Sequence, residues 1–194
     1  MFSIKQKNNS RVVRCFTHKL ADIAGGVNIS TADLVQATLP EGTPVGKDNN
    51  GLYHVVKTAV LAADAGNTAT TLTVKKGHNF KVGDNIFAVK GGKCYAISSI
   101  TTNSDNAAYD DIVIGTTLGV ALSAGAVIMQ GNTTGASAGA FKYQPVALTG
   151  EGYDIKAGEN LFANAWLIAV VKEAALEMPL GNVIKTELKG IITV

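Results

Sequence analysis

One short pattern recurs along this chain and limits what it can fold into. Gly77-His78-Asn79-Phe80-Lys81-Val82-Gly83-Asp84-Asn85-Ile86-Phe87-Ala88 aligns without a gap with Gly152-Tyr153-Asp154-Ile155-Lys156-Ala157-Gly158-Glu159-Asn160-Leu161-Phe162-Ala163. A shorter copy is Leu122-Ser123-Ala124-Gly125-Ala126-Val127-Ile128-Met129. Each copy reads as an apolar residue, any residue, Val or Ala, Gly, two residues, then two apolar residues. Gly83, Gly125 and Gly158 are the positions where a left-handed backbone costs least, so each is expected to turn the chain into a strand that starts on bulky apolar side chains. The acids after two of them, Asp84 and Glu159, are placed to satisfy turn amides rather than to catalyse. The offsets between copies are unequal, which excludes a solenoid.

The remaining punctuation agrees with short strands. Leu39-Pro40-Glu41-Gly42-Thr43-Pro44 is a turn, and Asp48-Asn49-Asn50-Gly51 carries the Asn-Gly pair of a type I′ hairpin, leading into a strand over 52–57. Alternation predicts a half-buried strand over 70–74, with further strands over 85–89, 95–100, 112–114 and 126–129. Strands at this spacing, separated by turn residues, suggest a small barrel or sandwich. Residues 160–171 are apolar enough for a strand buried on both faces. Leu180, Val183, Ile184 and Leu188 fall at helical spacing, which predicts one short helix closed by Gly190, and Ile191-Ile192-Thr193-Val194 ends as a strand.

The expected fold is therefore mainly β: a barrel or sandwich scaffold, one short C-terminal helix and a flexible N-terminal arm. Breaks at Asp64-Ala65-Gly66-Asn67 and over the small-residue stretch 131–139 divide the chain into an arm (1–35), a scaffold (36–66 with 132–194) and an inserted β module (67–131). In the arm, Lys5, Lys7, Arg11, Arg14 and Lys19 all precede the first acid, Asp22, and no apolar period is sustained. Val12, Val13 and Phe16 are its candidate anchors against a partner.

Composition excludes several classes. The 194 residues are 46% hydrophobic and 16% charged, which opposes disorder, and a net charge of +2 gives no field for bulk polyanion binding. No GxSxG, HExxH or paired-histidine spacing occurs, and His18, His54 and His78 are scattered singly. The stretch 42–48 lacks the P-loop spacer, and Gly150-Glu151-Gly152 lacks the third glycine of a dinucleotide fingerprint. Asp110-Asp111 reads as a solvated acidic pair at a strand start, and Trp166 as core. No enzyme, cofactor or metal site is expected. Cys15 and Cys94 read as free, partly buried thiols, with a single bridge between them left open. The N-terminus has no apolar stretch of a signal peptide, and the longest apolar run, 165–171, is too short to span a bilayer, so synthesis in the cytoplasm is expected.

Residues 39–46, the segment Gly158-Glu159-Asn160-Leu161 and the ending 171–192 together resemble tailed-phage head decoration (capsid cement) and head-fibre proteins. The resemblance covers about residues 36–66 and 132–194. It implies a β-rich, trimeric, non-enzymatic structural protein on the outer capsid face, in the virion, with the major capsid protein as partner and the N-terminal arm clamping neighbouring capsid subunits. It also implies neither a membrane nor a small-molecule substrate. The alternatives are another virion component such as a head-fibre base, and a β-barrel module for glycan or single-stranded nucleic acid. The scarcity of aromatics, 6% of residues, argues against stacking platforms.

Overall fold

The computed structural model describes residues 14–102, 108–156 and 158–194. The chain is mainly β, with 42% of the described residues in strands and 5% helical. The first half contributes β1 (Phe16–Asp22), β2 (Val27–Ile29), β3 (Thr38–Leu39), β4 (Pro44–Lys47), β5 (Tyr53–Val55), β6 (Thr58–Val60), β7 (Thr71–Lys75) and β8 (Asn85–Phe87). The second half contributes β9 (Cys94–Thr102), β10 (Tyr109–Ile114), β11 (Val127–Gly131), β12 (Ala147–Thr149), β13 (Tyr153–Asp154), β14 (Leu161–Ala163), β15 (Ala165–Val171) and β16 (Ile191–Thr193). The short helix α1 (Asn182–Glu187) precedes β16, as the spacing of Val183, Ile184 and Leu188 requires.

Eight strands form one sheet in the order β1-β15-β12-β4-β5-β2-β14, with β16 also alongside β15. Six more form an antiparallel sheet in the order β6-β11-β8-β9-β10-β7. Its two ends meet: Leu61 bridges Val74, and the Ala62 amide donates to the Thr73 carbonyl at 2.8 Å. The sheet thus curls back on itself as a small barrel. Strands β3 and β13 pair as a separate ribbon.

The barrel explains why β8 and β11 read as apolar runs, whereas β7 and β10 alternate. Ile86 and Ile128 point inward, where they pack with Leu61, Leu72, Val74, Ile97, Ile112 and Ile114. Their neighbours Phe87 and Met129 point outward into a second cluster with Phe16, Leu148, Val171, Leu176 and Ile184. A strand buried on both faces cannot alternate. That second cluster is shared by the barrel, the eight-stranded sheet and the C-terminal segment, so the barrel has no outer face of its own there.

The structure draws the internal boundaries differently from the sequence. Strand β6, assigned to the scaffold, pairs with β11 and belongs to the barrel. The barrel therefore starts near residue 58 and not at 67. Residues 16–29, assigned to the arm, are strands of the eight-stranded sheet, β1 against β15 and β2 between β5 and β14. The apolar stretch 160–171 is broken at Asn164 into β14 and β15, and Leu167 and Ile168 are exposed rather than buried.

The repeated turns have one geometry. Gly83, Gly125 and Gly158 have φ of 91°, 88° and 82°. The amide after each donates back across the turn, Asp84 to Lys81, Ala126 to Ser123 and Glu159 to Lys156. These are type II turns, which need a positive φ at their third residue. Leu39-Pro40-Glu41-Gly42 before β4 shares the positive φ, 80° at Gly42, but not the bond: the Thr43 amide donates to Thr149 Oγ1 at 3.0 Å and the Thr43 hydroxyl to the Pro40 carbonyl at 2.8 Å. It also departs from the pattern at Glu41 and at Gly46, where a Cβ would lie 2.2 Å from the Gln144 carbonyl oxygen. The Asn50-Gly51 hairpin is not type I′. Only glycines have positive φ among the described residues, so Asn50 stays right-handed and Gly51 (φ 88°) completes a three-residue loop closed by the Asp48 amide on the Leu52 carbonyl.

At the seam, Lys57 carries the chain from β5 to β6 with only 2% of its surface exposed. Its Nζ donates to Asp84 Oδ2 at 2.8 Å, and Asp84 also accepts from the Lys81 amide (2.9 Å) and from Gln130 Nε2 (2.9 Å). Asp84 thus satisfies its own turn and holds the seam. Cys15 and Cys94 are free and buried, and burial together with the Glu41 charge pushes the Cys15 thiol up to about 12.

Removing the ammonium leaves a carboxylate without its partner, so Lys57→Ala is expected to cost roughly 3–5 kcal/mol in urea unfolding. A loss below about 1 kcal/mol, the scale of a surface ion pair, would show that the seam does not depend on it. Because the second cluster is common to both sheets, calorimetry of the whole chain is expected to show one cooperative transition. Two resolved transitions would show that the barrel folds independently.

Candidate interaction surface

Strand β1 forms because its residues find β15: Phe16 lies opposite Val171, His18 opposite Val170, Lys19 opposite Ala169 and Asp22 opposite Trp166. This pairing decides the fate of the arm residues singled out in the sequence. Phe16 is buried in the shared cluster and is not a free anchor. Lys19 is engaged within the protein, its Nζ 5.0 Å from the Phe16 ring centre, 5.2 Å from that of Trp166, and donating to the Gly150 carbonyl at 3.1 Å. Arg14 is exposed just before β1. Lys5, Lys7, Arg11, Val12 and Val13 lie outside the described residues.

The surface that emerges is aliphatic. On β1 and on β15 and β16 beside it, Leu20 is 70% exposed, Ile168 44%, Ile192 58% and Val194, just past β16, 68%. Register places Val170 between Ile192 and His18, and Ile168 beside Ala21, while Leu20 lies at the register shift between Lys19 and Ala21. Exposed Arg14, His18, Lys172 and Lys189 lie in or next to these strands, with Asp22 at the far end of β1. Burying one Leu, Ile or Val side chain fully is worth about 1.5–3 kcal/mol. A handful of them can hold a complex if the partner is preorganised.

The geometry also says how contact can be made. Strand β1 ends the sheet, but its register shifts three times, after Phe16, after Lys19 and after Ala21. Bulges of this kind twist an edge away from further strand pairing. Contact through the side-chain face is therefore favoured over addition of a strand to β1.

Other hollows are less suited to a ligand. The cleft between sheet and barrel, lined by Thr43, Val56, Lys57, His78 and Met178 among others, holds about 30 Å³, room for a water or two. Two open apolar troughs of about 300 and 290 Å³ share Ala88, one running beside α1 past Val127 and Leu180, the other past Val89 and Leu118. Among the described residues no group of three or more His, Cys, Asp or Glu is arranged around a common point for a metal ion. Among the described residues no helix is long and apolar enough to cross a membrane. His54 stacks on Tyr143 with ring centres 4.0 Å apart, and Trp166 is half-buried.

Asp110 corrects the sequence reading most plainly. It is buried and not solvated, with Lys76 Nζ 3.7 Å and His78 Nε2 3.5 Å away. Asp111, its neighbour, accepts from the Thr73 hydroxyl at 2.7 Å. The aliphatic face had one visible sign in the sequence, the apolar ending 191–194, but nothing there shows which of its side chains face out. Compared with protein-family models, with curated proteins and with solved structures, the chain matches none.

Proposed function

We propose that this protein is a structural virion component, a decoration protein that docks on the outer face of a tailed-phage head and bridges major capsid subunits. The reading rests on the resemblance of residues 36–66 and 132–194 to capsid cement and head-fibre proteins, and on a β-rich body suited to adhesion. The observation that carries it is the aliphatic face of β1, β15 and β16, with Leu20, Ile168, Ile192 and Val194 presented to solvent. In the sequence the basic Lys5, Lys7 and Arg11 precede Arg14, which is exposed just before β1. Apolar contact supplies the affinity, and the basic residues steer toward acidic capsid surface in a salt-sensitive way. Assembly as a homotrimer and the absence of catalysis belong to the same proposal.

The test uses heads assembled without the protein, mixed with purified wild type or variants and pelleted. Leu20→Asp and Ile192→Asp are each expected to lower head occupancy at least about tenfold, the effect of leaving one charge in an otherwise apolar contact. Deleting 1–13 is expected to reduce occupancy mainly at low salt, where its charges are least screened. The deletion has to stop there, because residue 16 already belongs to β1. Unchanged occupancy for a folded variant carrying both substitutions would overturn the assignment of this face.

A further inference from the structure

We propose that the turn over residues 77–80 is an acid-sensitive latch: protonation of His78 opens it and frees the segment 31–36 from the barrel. This does not depend on the virion reading. His78 follows β7 and is only 5% exposed. Its Nδ1 accepts the backbone amide of Phe80 at 3.2 Å. An amide N–H can only donate, so Nδ1 is bare and the ring proton sits on Nε2. Nε2 faces Asp110 Oδ2 on β10 at 3.5 Å, and the other oxygen of Asp110 faces Lys76 Nζ at 3.7 Å. Lys57, paired with Asp84, and Glu41 line the cleft that His78 also lines.

The same turn grips a distant segment. The His78 carbonyl accepts Gln36 Nε2 at 3.0 Å, and Asn79 Oδ1 accepts the amides of Val35 (3.0 Å) and Gln36 (3.2 Å). Lys81 Nζ adds a bond to the Ala32 carbonyl at 3.1 Å. The segment 31–36 links β2 to β3, so this is where the barrel holds the chain of the other sheet.

Protonating Nδ1 would set one N–H against another, and the turn could not keep its present geometry. Burial holds the His78 imidazole below its ordinary titration range, although the Asp110 carboxylate 3.5 Å away pulls the other way. The sign follows. A histidine that is harder to protonate folded than unfolded contributes its full stability above the unfolded value of ~6.5, and that stability is lost as pH falls below it toward the folded value.

Amide hydrogen exchange on the full chain tests this, corrected for the intrinsic pH dependence of exchange. Between about pH 8 and pH 5, protection at Val35 and Gln36 is expected to fall about tenfold relative to Ala169 in β15. His78→Asn keeps an acceptor near the Nδ1 position but does not titrate, so its protection is expected to stay level. Asp110→Asn removes the charge that favours the imidazolium and is expected to move the loss to lower pH. Unchanged protection in the wild type, or an equal fall in wild type and His78→Asn, would overturn the latch. If a variant does not fold, nitrogen NMR of the wild-type imidazole decides: a bare Nδ1 at neutral pH supports the latch, and a bare Nε2 sinks it.

Discussion

Where the chain passes from β5 to β6 it leaves one sheet and enters the other, and at that crossing it buries a lysine. The Lys57 ammonium has almost no contact with solvent and is held by Asp84, which the Gln130 side chain and the Lys81 amide also reach. An ammonium so placed costs several kcal/mol to desolvate unless its partner is fixed in position. Asp84 is fixed, because it is the residue after Gly83 in a type II turn and is bonded to that turn's own amide. The Gln130 amide meanwhile donates to the Lys57 carbonyl at 3.0 Å, so main chain and side chain cross the seam together. The ion pair thereby lies where β6, β8 and β11 meet the passage from the eight-stranded sheet.

The placement of the barrel against the sheet decides the cores. The barrel is too narrow to bury more than one inward residue in two from each strand. Its outward residues would be exposed if it stood alone. Phe87, Cys94 and Met129 are outward residues, and they are buried only because the eight-stranded sheet and α1 lie over them. Gly131 is part of the same fit, since a Cβ there would stand 2.3 Å from the Cys94 sulfur. The shared cluster also takes in Leu176, Leu180, Ile184 and Leu188 from the C-terminal segment, which delivers β16 parallel to β15. The aliphatic face proposed for docking is the far side of this arrangement: the strands that close the core inward present Leu20, Ile168 and Ile192 outward.

The same geometry separates two kinds of polar contact. Lys19 spends its charge on the rings of Phe16 and Trp166 and on the Gly150 carbonyl. His78 and Asp110 lie inside, where loss of solvent makes protonation state and backbone geometry depend on each other. The surface proposed for docking and the interior proposed to respond to protons therefore occupy different parts of the molecule.

Local rules were enough to read much of this from the residues. Turn glycines are visible because a positive φ is a property of one residue, and α1 is visible because helical contacts lie three and four positions apart. Mainly-β architecture followed from both. What stayed hidden depends on partners far along the chain. Nothing near Phe16 announces that Val171 lies opposite it, so a strand was read as an arm. Nothing near Thr58 announces β11, so the barrel was given the wrong first residue. Asp110 looked solvated because Lys76 and His78 reach it only after β7 and β10 have paired. Even the hairpin at Asn50-Gly51 was right in place and wrong in type, because one residue's preference does not fix the loop length that β4 and β5 impose. The sequence by itself determined where the chain turns and several of its strands; only tertiary pairing made strands of 16–22 and 27–29 and decided which face of each strand is buried, because burial is a property of two surfaces meeting.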